Sequence, residues 1–206
     1  MKRIIVAGGG AAGFMSAFHA KWPDTEVTIL EAQEKPGKKL LTTGNGKCNL
    51  TYASKKPVIS YRGNGQDFTE AALKTFDQER TVQFFEELGM LMHEKNGGVY
   101  PYSDQAQTVQ TIFLDALRER GVKIKTQERI KSILPQKKGG FLVKTEGWQY
   151  EADAVILACG SKAAPALGGC EDGYQLAEKL GHPVTKIVPA LVPLKTKEAA
   201  SHALAG

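Results

Sequence analysis

The first thirty residues contain two short apolar runs on either side of a glycine-rich break. Apolar and β-branched residues dominate positions 2–7 and 26–30, which predicts two buried strands. The composition of residues 11–21 favours a helix, which Pro23 and Asp24 end. A strand, a glycine turn, a helix and a strand in this order indicate the start of a parallel βαβ unit.

The rest of the chain continues as a series of short helices and strands. This order indicates an α/β fold, a Rossmann-like domain with a parallel sheet and a small antiparallel β-meander. The predicted helices are two over residues 67–88 that divide near Asp77, one over 108–120 and one over 172–180. The predicted strands are short ones within 90–103, the meander at 130–133, 141–144 and 148–150, and single strands at 122–126 and 154–159.

Length and composition fit an ordinary globular protein, because 206 residues correspond to one domain or to one domain and part of a second. The net charge of +5 comes from scattered basic residues, so it indicates general solubility and affinity for anions, with nucleic acid as the less favoured partner. Three cysteines without a CxxC pair or zinc spacing favour a reducing cytoplasm and no metal site.

The N-terminus resembles a signal peptide, since two basic residues precede an apolar stretch. Three consecutive glycines interrupt that stretch and argue against a signal peptide. No apolar run approaches the ~20 residues of a membrane span. We therefore expect a cytoplasmic protein without a membrane partner, and the sequence leaves its oligomeric state open.

The sequence GGGAAG after the first predicted strand matches the GxGxxG fingerprint of dinucleotide-binding folds. Gly8 permits a tight turn, Gly10 lets the backbone approach a pyrophosphate, and Gly13 lets helix and strand pack closely. Ala11 and Ala12 begin the helix, whose free N–H groups and positive dipole end attract an anion. A glycine-rich turn without a ligand is the alternative.

An acid stands about 20 residues after the fingerprint, at the end of the second predicted strand. This acid, Glu31, is placed to accept hydrogen bonds from a ribose diol, and it disfavours the 2′-phosphate of NADP. Ala32 follows it in the same predicted site. The fingerprint and Glu31 together predict a dinucleotide-binding site.

The segment GKKLLTTGNGKCN, residues 37–49, is rich in glycine and lysine. Its end resembles a phosphate-binding P-loop, but Leu41 replaces the first glycine and Cys48 replaces the hydroxyl residue that holds magnesium. We expect the segment instead to run back over the dinucleotide, where Lys39 or Lys47 adds positive charge. A loose surface loop is the alternative.

Four stretches occur in the order of one protein family: EAQEKPGKKLLTTGNGKCNLT, VYPYSDQAQTVQTIFLDAL, AVILACGSKAAPALGGCEDGYQLAEKLGH and PALVPL. The chain resembles the N-terminal half of the BaiN-like or aminoacetone-oxidase-like family of NAD(P)/FAD-dependent oxidoreductases. This resemblance implies a flavoprotein with a glutathione-reductase-type two-dinucleotide-binding fold that binds FAD. It places the adenosine ribose at Glu31, the adenine at Ile130 in the first meander strand, and the pyrophosphate and flavin edge along residues 37–49.

The fingerprint and the resemblance together give a set of expected cofactor-binding residues. These are Gly8, Gly10, Ala11, Ala12, Gly13, Glu31, Ala32, Lys39, Leu40, Gly44, Asn45, Gly46, Lys47, Cys48, Asn49, Ile130, Ala158, Cys159, Gly160 and Gly173.

The resemblance also implies how the chain is divided. Family members are about twice as long, with an inserted domain and a C-terminal segment that returns to complete the flavin site. Residues 1–190 are therefore expected to form the N-terminal, incomplete part of the FAD-binding domain. Residues 191–206 would start the connection to an inserted substrate domain. Tyr52 and Ser161 depart from the family pattern, where an asparagine and a glycine are usual.

The expected function is that of an FAD-dependent oxidoreductase. It would move hydride or electrons between a small organic substrate or NAD(P)H and an acceptor. NAD(P)H would bind only transiently, because the chain has a single GxGxxG motif. A non-catalytic FAD-binding fragment and a flavin-dependent RNA-modifying protein are the alternatives.

No catalytic residue is assigned, because the flavin itself carries hydride chemistry. Cys48 would be reactive if its pKa were lowered, but packing or cofactor contact is favoured, since no second cysteine lies nearby. His93 is a candidate acid or base without an identifiable partner. Tyr100, Pro101 and Tyr102 either approach the flavin, as the resemblance implies, or form a packed turn.

Overall fold

A parallel βαβ unit forms the first thirty residues, in the computed structural model that describes residues 1–53 and 66–189. Strand β1 (Lys2–Ala7) leads through the glycine turn into helix α1 (Ala11–Ala20), which is followed by β2 (Thr25–Leu30). The two strands pair in parallel along their whole length, from Lys2 opposite Thr25 to Ala7 opposite Leu30. This confirms the unit that the sequence predicts.

Two further strands extend the unit into a four-stranded parallel sheet. Strand β10 (Ala154–Leu157) pairs with β1, and β6 (Lys123–Lys125) pairs with β2, so the order is β10-β1-β2-β6. Ala7 lies opposite both Leu30 and Leu157, so β1, β2 and β10 end at the same edge. The residues that follow these three strands therefore meet at one edge, the position at which open parallel sheets bind ligands.

The remaining elements form two small antiparallel sheets, with strand orders β3-β5-β4 and β7-β8-β9, and the other helices. Helices α2 to α5 are Gln66–Thr75, Gln78–Glu87, Ala106–Glu119 and Asp172–Lys179. Strands β3 to β5 are Thr51–Tyr52, Met92–Lys95 and Gly98–Pro101. Strands β7 to β9 are Ser132–Pro135, Phe141–Lys144 and Gln149–Ala152. Short 3₁₀ helices occupy Leu40–Gly46 and Pro165–Leu167.

Both faces of the parallel sheet are covered. On one face, Val6 and Ile29 pack in a core that contains the buried residues of helices α1 and α4. On the other face, Ile5, Ala7 and Leu30 pack against the β7-β8-β9 meander and helix α5. Alternation of side chains along β1 divides its residues between the two cores. The architecture is the Rossmann-like α/β fold with a meander that the sequence predicts.

The structure differs from the prediction at several element ends. Strand β7 begins at Ser132, so the expectation that Ile130 lies in the first meander strand is wrong. Ile130 instead lies in the connection from β6, where it is buried against the sheet. Strand β10 ends at Leu157, because the chain turns away through Gly160, which has a φ of +76°. Residues 191–206, the expected start of an inserted domain, lie outside the described residues.

Among the helices of the described residues, none has the length and apolar character needed to cross a membrane.

Candidate nucleotide-binding site

The three fingerprint glycines occupy three different environments. A Cβ on Gly8 would lie 2.5 Å from the carbonyl oxygen of Ala158, and the φ of Gly8 is +111°. A Cβ on Gly13 would lie 1.9 Å from the carbonyl oxygen of Gly8, so only glycine lets the helix pack on this turn. A Cβ on Gly10 would meet no described atom within 4 Å. Gly8 and Gly13 are therefore required by packing, whereas Gly10 faces open space.

The N-terminus of helix α1 opens into that space. Gly10 is the N-cap residue, and no side chain caps the helix. No acidic residue lies in the first turn, and both Ala11 and Ala12 are exposed. The first N–H groups of a helix have no partner within it, so this turn presents free donors at a positive dipole end. An anion is the ligand that such an end favours.

The carboxylate of Glu31 is held beside the glycine turn by two short hydrogen bonds. Its Oε2 accepts from the N–H of Gly9 at 2.6 Å, and its Oε1 accepts from the N–H of Gln33 at 2.7 Å. Each carboxylate oxygen has a second lone pair, so Glu31 can still accept from hydroxyl donors. The geometry thus places an oriented acceptor next to an anion-attracting helix end.

A crevice of about 50 Å³ runs along this edge of the sheet. It brings together five of the expected cofactor residues: Gly8, Glu31, Ala32, Ile130 and Cys159. Typical small-molecule sites enclose roughly 300–1,000 Å³, so the crevice is narrower than such a site.

One wall of this crevice carries an ion pair that sequence reasoning missed. Arg129 and Asp172 both line the crevice, and the Arg129 guanidinium donates a hydrogen bond to the Asp172 carboxylate. The two residues are 43 positions apart, and no local pattern links them. The pair spans the connection after β6 and the start of helix α5.

Two positions near the crevice, 160 and 173, favour glycine over larger residues. A Cβ on Gly173, in the first turn of α5, would lie 2.9 Å from the Cβ of Cys159. Gly160 has a left-handed φ and lies after Ala158, whose N–H continues the bonding to Ala7 at 2.9 Å. Of these residues, Cys159 lines the crevice, and Gly173 packs directly against it.

The start of segment 37–49 is fixed at the glycine turn. The N–H of Gly37 donates to the carbonyl of Gly9 at 2.6 Å, and Gln110 donates to the carbonyl of Pro36 at 2.6 Å. Lys39 Nζ donates to the carbonyl oxygen of Ser161 at 3.0 Å. The segment continues through Leu40–Gly46, where 3₁₀ turns lie on either side of a kink at residues 43–45.

The far end of segment 37–49 turns away from the crevice. Gly44 and Asn45 have left-handed backbone angles, with φ values of 55° and 54°. Gly44, Asn45, Lys47 and Asn49 line a second cavity of about 520 Å³ beside strand β5. Of the residues expected around one cofactor, five therefore line the crevice, four line this second cavity, and the others line neither.

Burial suppresses the reactivity of two cysteine thiols, those of Cys48 and Cys159. Cys48 is 2% exposed, and burial raises the pKa of its thiol, although a hydrogen bond with Thr43 opposes this. Burial also raises the pKa of Cys159 to about 11. A raised pKa reduces the thiolate fraction, so neither thiol is suited to nucleophilic chemistry. Any contact of residue 48 with a ligand would have to come from its backbone, since the side chain lies in the core.

His93 has a partner that the sequence does not reveal. Its Nε2 lies 2.9 Å from Oδ1 of Asp104, and Oδ2 of the same carboxylate lies 3.3 Å from Lys47 Nζ. The hydrogen bond with His93 is the main reason that the pKa of Asp104 lies below its ordinary value, and Lys47 adds to this effect. The β4–β5 hairpin places His93 opposite Tyr100, close to the turn that carries Asp104.

A parallel sheet that turns through glycines into a helix, with an acid after the second strand, defines a Rossmann-like nucleotide-binding domain. The chain belongs to the family described as the HI0933-like protein Rossmann domain, whose model matches residues 2–201.

Curated relatives support the resemblance seen in the sequence. The chain is 42% identical, over 96% of its length, to the 3-dehydro-bile acid delta(4,6)-reductase of Clostridium scindens. It is 28% identical, over 92% of its length, to the ribosomal RNA dihydrouridine synthase of Escherichia coli. These matches cover 48% and 47% of the two relatives, so the chain spans about half their length. The predicted membership of the BaiN-like family is confirmed.

Solved structures show the same fold at low sequence identity. The open conformation of a flavocytochrome c3 fumarate reductase matches with a TM-score of 0.58 and 18% identity. That match covers 87% of this chain and 40% of the other.

Proposed function

We propose that the chain binds FAD at the glycine turn and belongs to an FAD-dependent oxidoreductase. The observation that carries this proposal is the open space at Gly10, where the uncapped end of helix α1 lies beside the oriented carboxylate of Glu31. A diphosphate and a ribose diol are the two groups that this arrangement suits. The family and its curated oxidoreductase relative support the same cofactor class.

The residues around the glycine turn match the chemical groups of FAD. The N–H groups of Ala11 and Ala12 would bind the diphosphate, and the carboxylate of Glu31 would accept from the ribose hydroxyls. Ile130 and Ala32 would border the adenine side of the crevice. Their positions require the Arg129–Asp172 pair to shift as the nucleotide enters, because the crevice is narrow.

Segment 37–49 would hold the other side of the cofactor. Lys39 already joins the segment to the loop after β10 and lies next to Gly160, 3.6 Å from where a Cβ of that glycine would stand. This linkage orients the two loops that border the crevice. When bound, FAD supplies the hydride and electron-transfer chemistry, and the protein positions it and excludes water.

The proposed reaction transfers hydride or electrons between a small organic substrate or NAD(P)H and an acceptor. In this proposal residues 1–190 belong to the FAD-binding domain, and residues 191–206 lead towards a substrate domain. The larger size of the curated relatives supports such a division, since they are about twice as long as this chain.

Flavin uptake tests the proposal directly. The purified chain is mixed with FAD, free flavin is removed, and absorbance at about 450 nm gives the bound stoichiometry. We expect close to one FAD per chain, followed by bleaching when NADH, NADPH or substrate is added. FAD that stays bound but cannot be reduced would indicate a binding fragment without activity. A colourless protein at saturating FAD would contradict the proposal.

A second candidate is a flavin-dependent RNA-modifying protein. The supporting observation is the 28% identity to a ribosomal RNA dihydrouridine synthase, together with the net charge of +5. RNA retention that falls steeply with salt would support it, because phosphate contacts release counterions. Retention that does not change with salt, or no retention, would favour the small-molecule reaction.

A further inference from the structure

The second cavity lies between the far end of segment 37–49 and the β4–β5 hairpin. Its volume of about 520 Å³ is in the range of small-molecule sites. Among the described residues, none lines both this cavity and the crevice beside Glu31. Asn45, Asn49 and Asn96 line the cavity, and an asparagine carboxamide can donate as well as accept hydrogen bonds.

Positive charge predominates among the described residues that line this cavity. Lys47 and Lys95 are the cations, Asp104 is the carboxylate, and Tyr52 and Tyr100 contribute phenols. The formal sum of these groups is one positive charge, which suits a ligand with one negative charge.

The carboxylate in the wall is already occupied. Both oxygens of Asp104 are engaged, one by His93 and the other by Lys47. Lys95 forms no ion pair with any described residue, and the neighbouring Glu94 lines a different cavity. An anion in the cavity would therefore meet one ammonium held in place and one that pairs with no described residue.

Three lining residues have backbone conformations that are unusual for residues other than glycine. The φ values of Asn45, Asn96 and Asp104 are 54°, 52° and 53°. Asparagine and aspartate adopt this conformation more readily than other residues, and at Asn96 it belongs to the two-residue turn of the β4–β5 hairpin. Here the N–H of Asp104 donates to the carbonyl of Pro101 at 2.8 Å, which fixes the turn.

We infer that this cavity binds the organic substrate of the proposed oxidoreductase through a carboxylate group, recognised by Lys47 and Lys95. The inference rests on the proposed function for the identity of the reaction, but the binding site stands on its own charges and geometry. Asp104 acts as a positioning residue, because it holds the Lys47 ammonium at the wall. A single carboxylate matches the formal charge of the lining better than a phosphate dianion.

Benzoate is a suitable probe, with benzamide as its neutral counterpart and phenyl phosphate as the dianion. The full chain is incubated with FAD, and binding is measured by calorimetry at constant ionic strength. We expect saturable benzoate binding that is at least tenfold tighter than benzamide binding. Lys47→Met and Lys95→Met should each weaken benzoate at least fivefold, whereas Lys47→Arg should retain most of the affinity.

Lys137→Met is the matched control, because it removes one exposed charge from the turn after β7. It should leave benzoate affinity unchanged. Three binding results would overturn the inference. They are equal affinity for benzoate and benzamide, higher affinity for phenyl phosphate than for benzoate, and no benzoate binding at 20–50 mM (roughly the weakest affinity of a small carboxylate site). So would an unchanged benzoate affinity in both lysine variants.

Flavin absorbance of the same samples separates the two proposals. Benzoate binding without FAD uptake would contradict the proposed function and leave the anion site intact. FAD uptake without benzoate binding would support the proposed function and overturn the anion site. Loss of FAD in Lys47→Met, with benzoate affinity unchanged, would assign Lys47 to the cofactor and overturn its role in substrate recognition.

Discussion

Gly10→Val is the substitution that most directly tests the nucleotide site. The backbone of Gly10 is extended, with φ of −93° and ψ of −173°, a conformation that valine adopts readily. No described atom lies within 4 Å of the added Cβ. The cost to folding is then limited to the poorer N-cap preference of valine, about 0.5–1 kcal/mol. For a chain of this size that corresponds to a decrease in Tm of about 1–4 °C.

The effect on FAD should be much larger. The valine side chain would occupy the space in which the diphosphate approaches the N–H groups of Ala11 and Ala12. Loss of two charge-assisted hydrogen bonds, at about 1.5–3 kcal/mol each, amounts to roughly 3–6 kcal/mol. Since about 1.4 kcal/mol corresponds to a factor of ten, the dissociation constant should rise roughly 10²- to 10⁴-fold.

The assay is a titration of apoprotein with FAD, followed by flavin fluorescence, alongside thermal unfolding of each variant. Gly13→Val is the control for a packing defect, because its Cβ would lie 1.9 Å from the carbonyl oxygen of Gly8. That variant should lose about 3 kcal/mol of stability or fail to fold. The reasoning is refuted if Gly10→Val retains stoichiometric FAD, or if it is as unstable as Gly13→Val.

Three further predictions concern charge and thiol chemistry. Glu31→Ala should weaken FAD by about 1–3 kcal/mol in the same titration, and unchanged affinity would show that Glu31 does not hold the ribose. The pKa of Asp104 is lowered from 3.8, so its contribution to stability is present above that pH and is lost as pH falls through the lower folded value. Asp104→Asn should therefore lower the free energy of unfolding at pH 6–7, about two units or more above the ordinary aspartate pKa. In strong acid the substitution should change that free energy little. Denaturant unfolding of both proteins at each pH measures the difference. Iodoacetamide should label Cys170 before Cys159, whose pKa is raised to about 11. FAD should slow the labelling of Cys170, because this residue lines the crevice. Equal labelling rates of the two cysteines, or an equal rate for Cys170 with and without FAD, measured by mass spectrometry, would contradict this.

The glycine turn and Glu31 were predictable because they belong to one βαβ unit. Within such a unit the spacing of glycines and the end of a strand determine which residues meet, so positions 8 to 31 could be placed from the pattern alone. The return of segment 37–49 to this turn was also expected, and the bond from Gly37 to Gly9 brings its first residues there. Local spacing thus determined the part of the site nearest the fingerprint.

The partner of His93 was not predictable from local pattern. His93 and Asp104 meet because the β4–β5 hairpin turns at Asn96 and Gly97 and because Asp104 adopts a left-handed conformation. Turn conformation of this kind has no hydrophobic periodicity from which it could be inferred. The same reason explains why the sequence did not show that segment 37–49 reverses at Gly44, which directs its last residues to another cavity.

Segment 37–49 therefore has two structural roles that its continuous sequence motif conceals. Lys39 is bound to the loop that borders the nucleotide crevice, while Lys47 is bound to the turn that borders the second cavity. Residues Leu40–Gly46 connect them through 3₁₀ turns with a kink at residues 43–45, and the start of the segment is bonded to the glycine turn. The glycines at 37, 44 and 46 adopt left-handed backbone angles that let the segment turn, and the two lysines bond to different parts of the fold at its two ends. The concentration of glycine and lysine in this short stretch therefore serves two places in the structure.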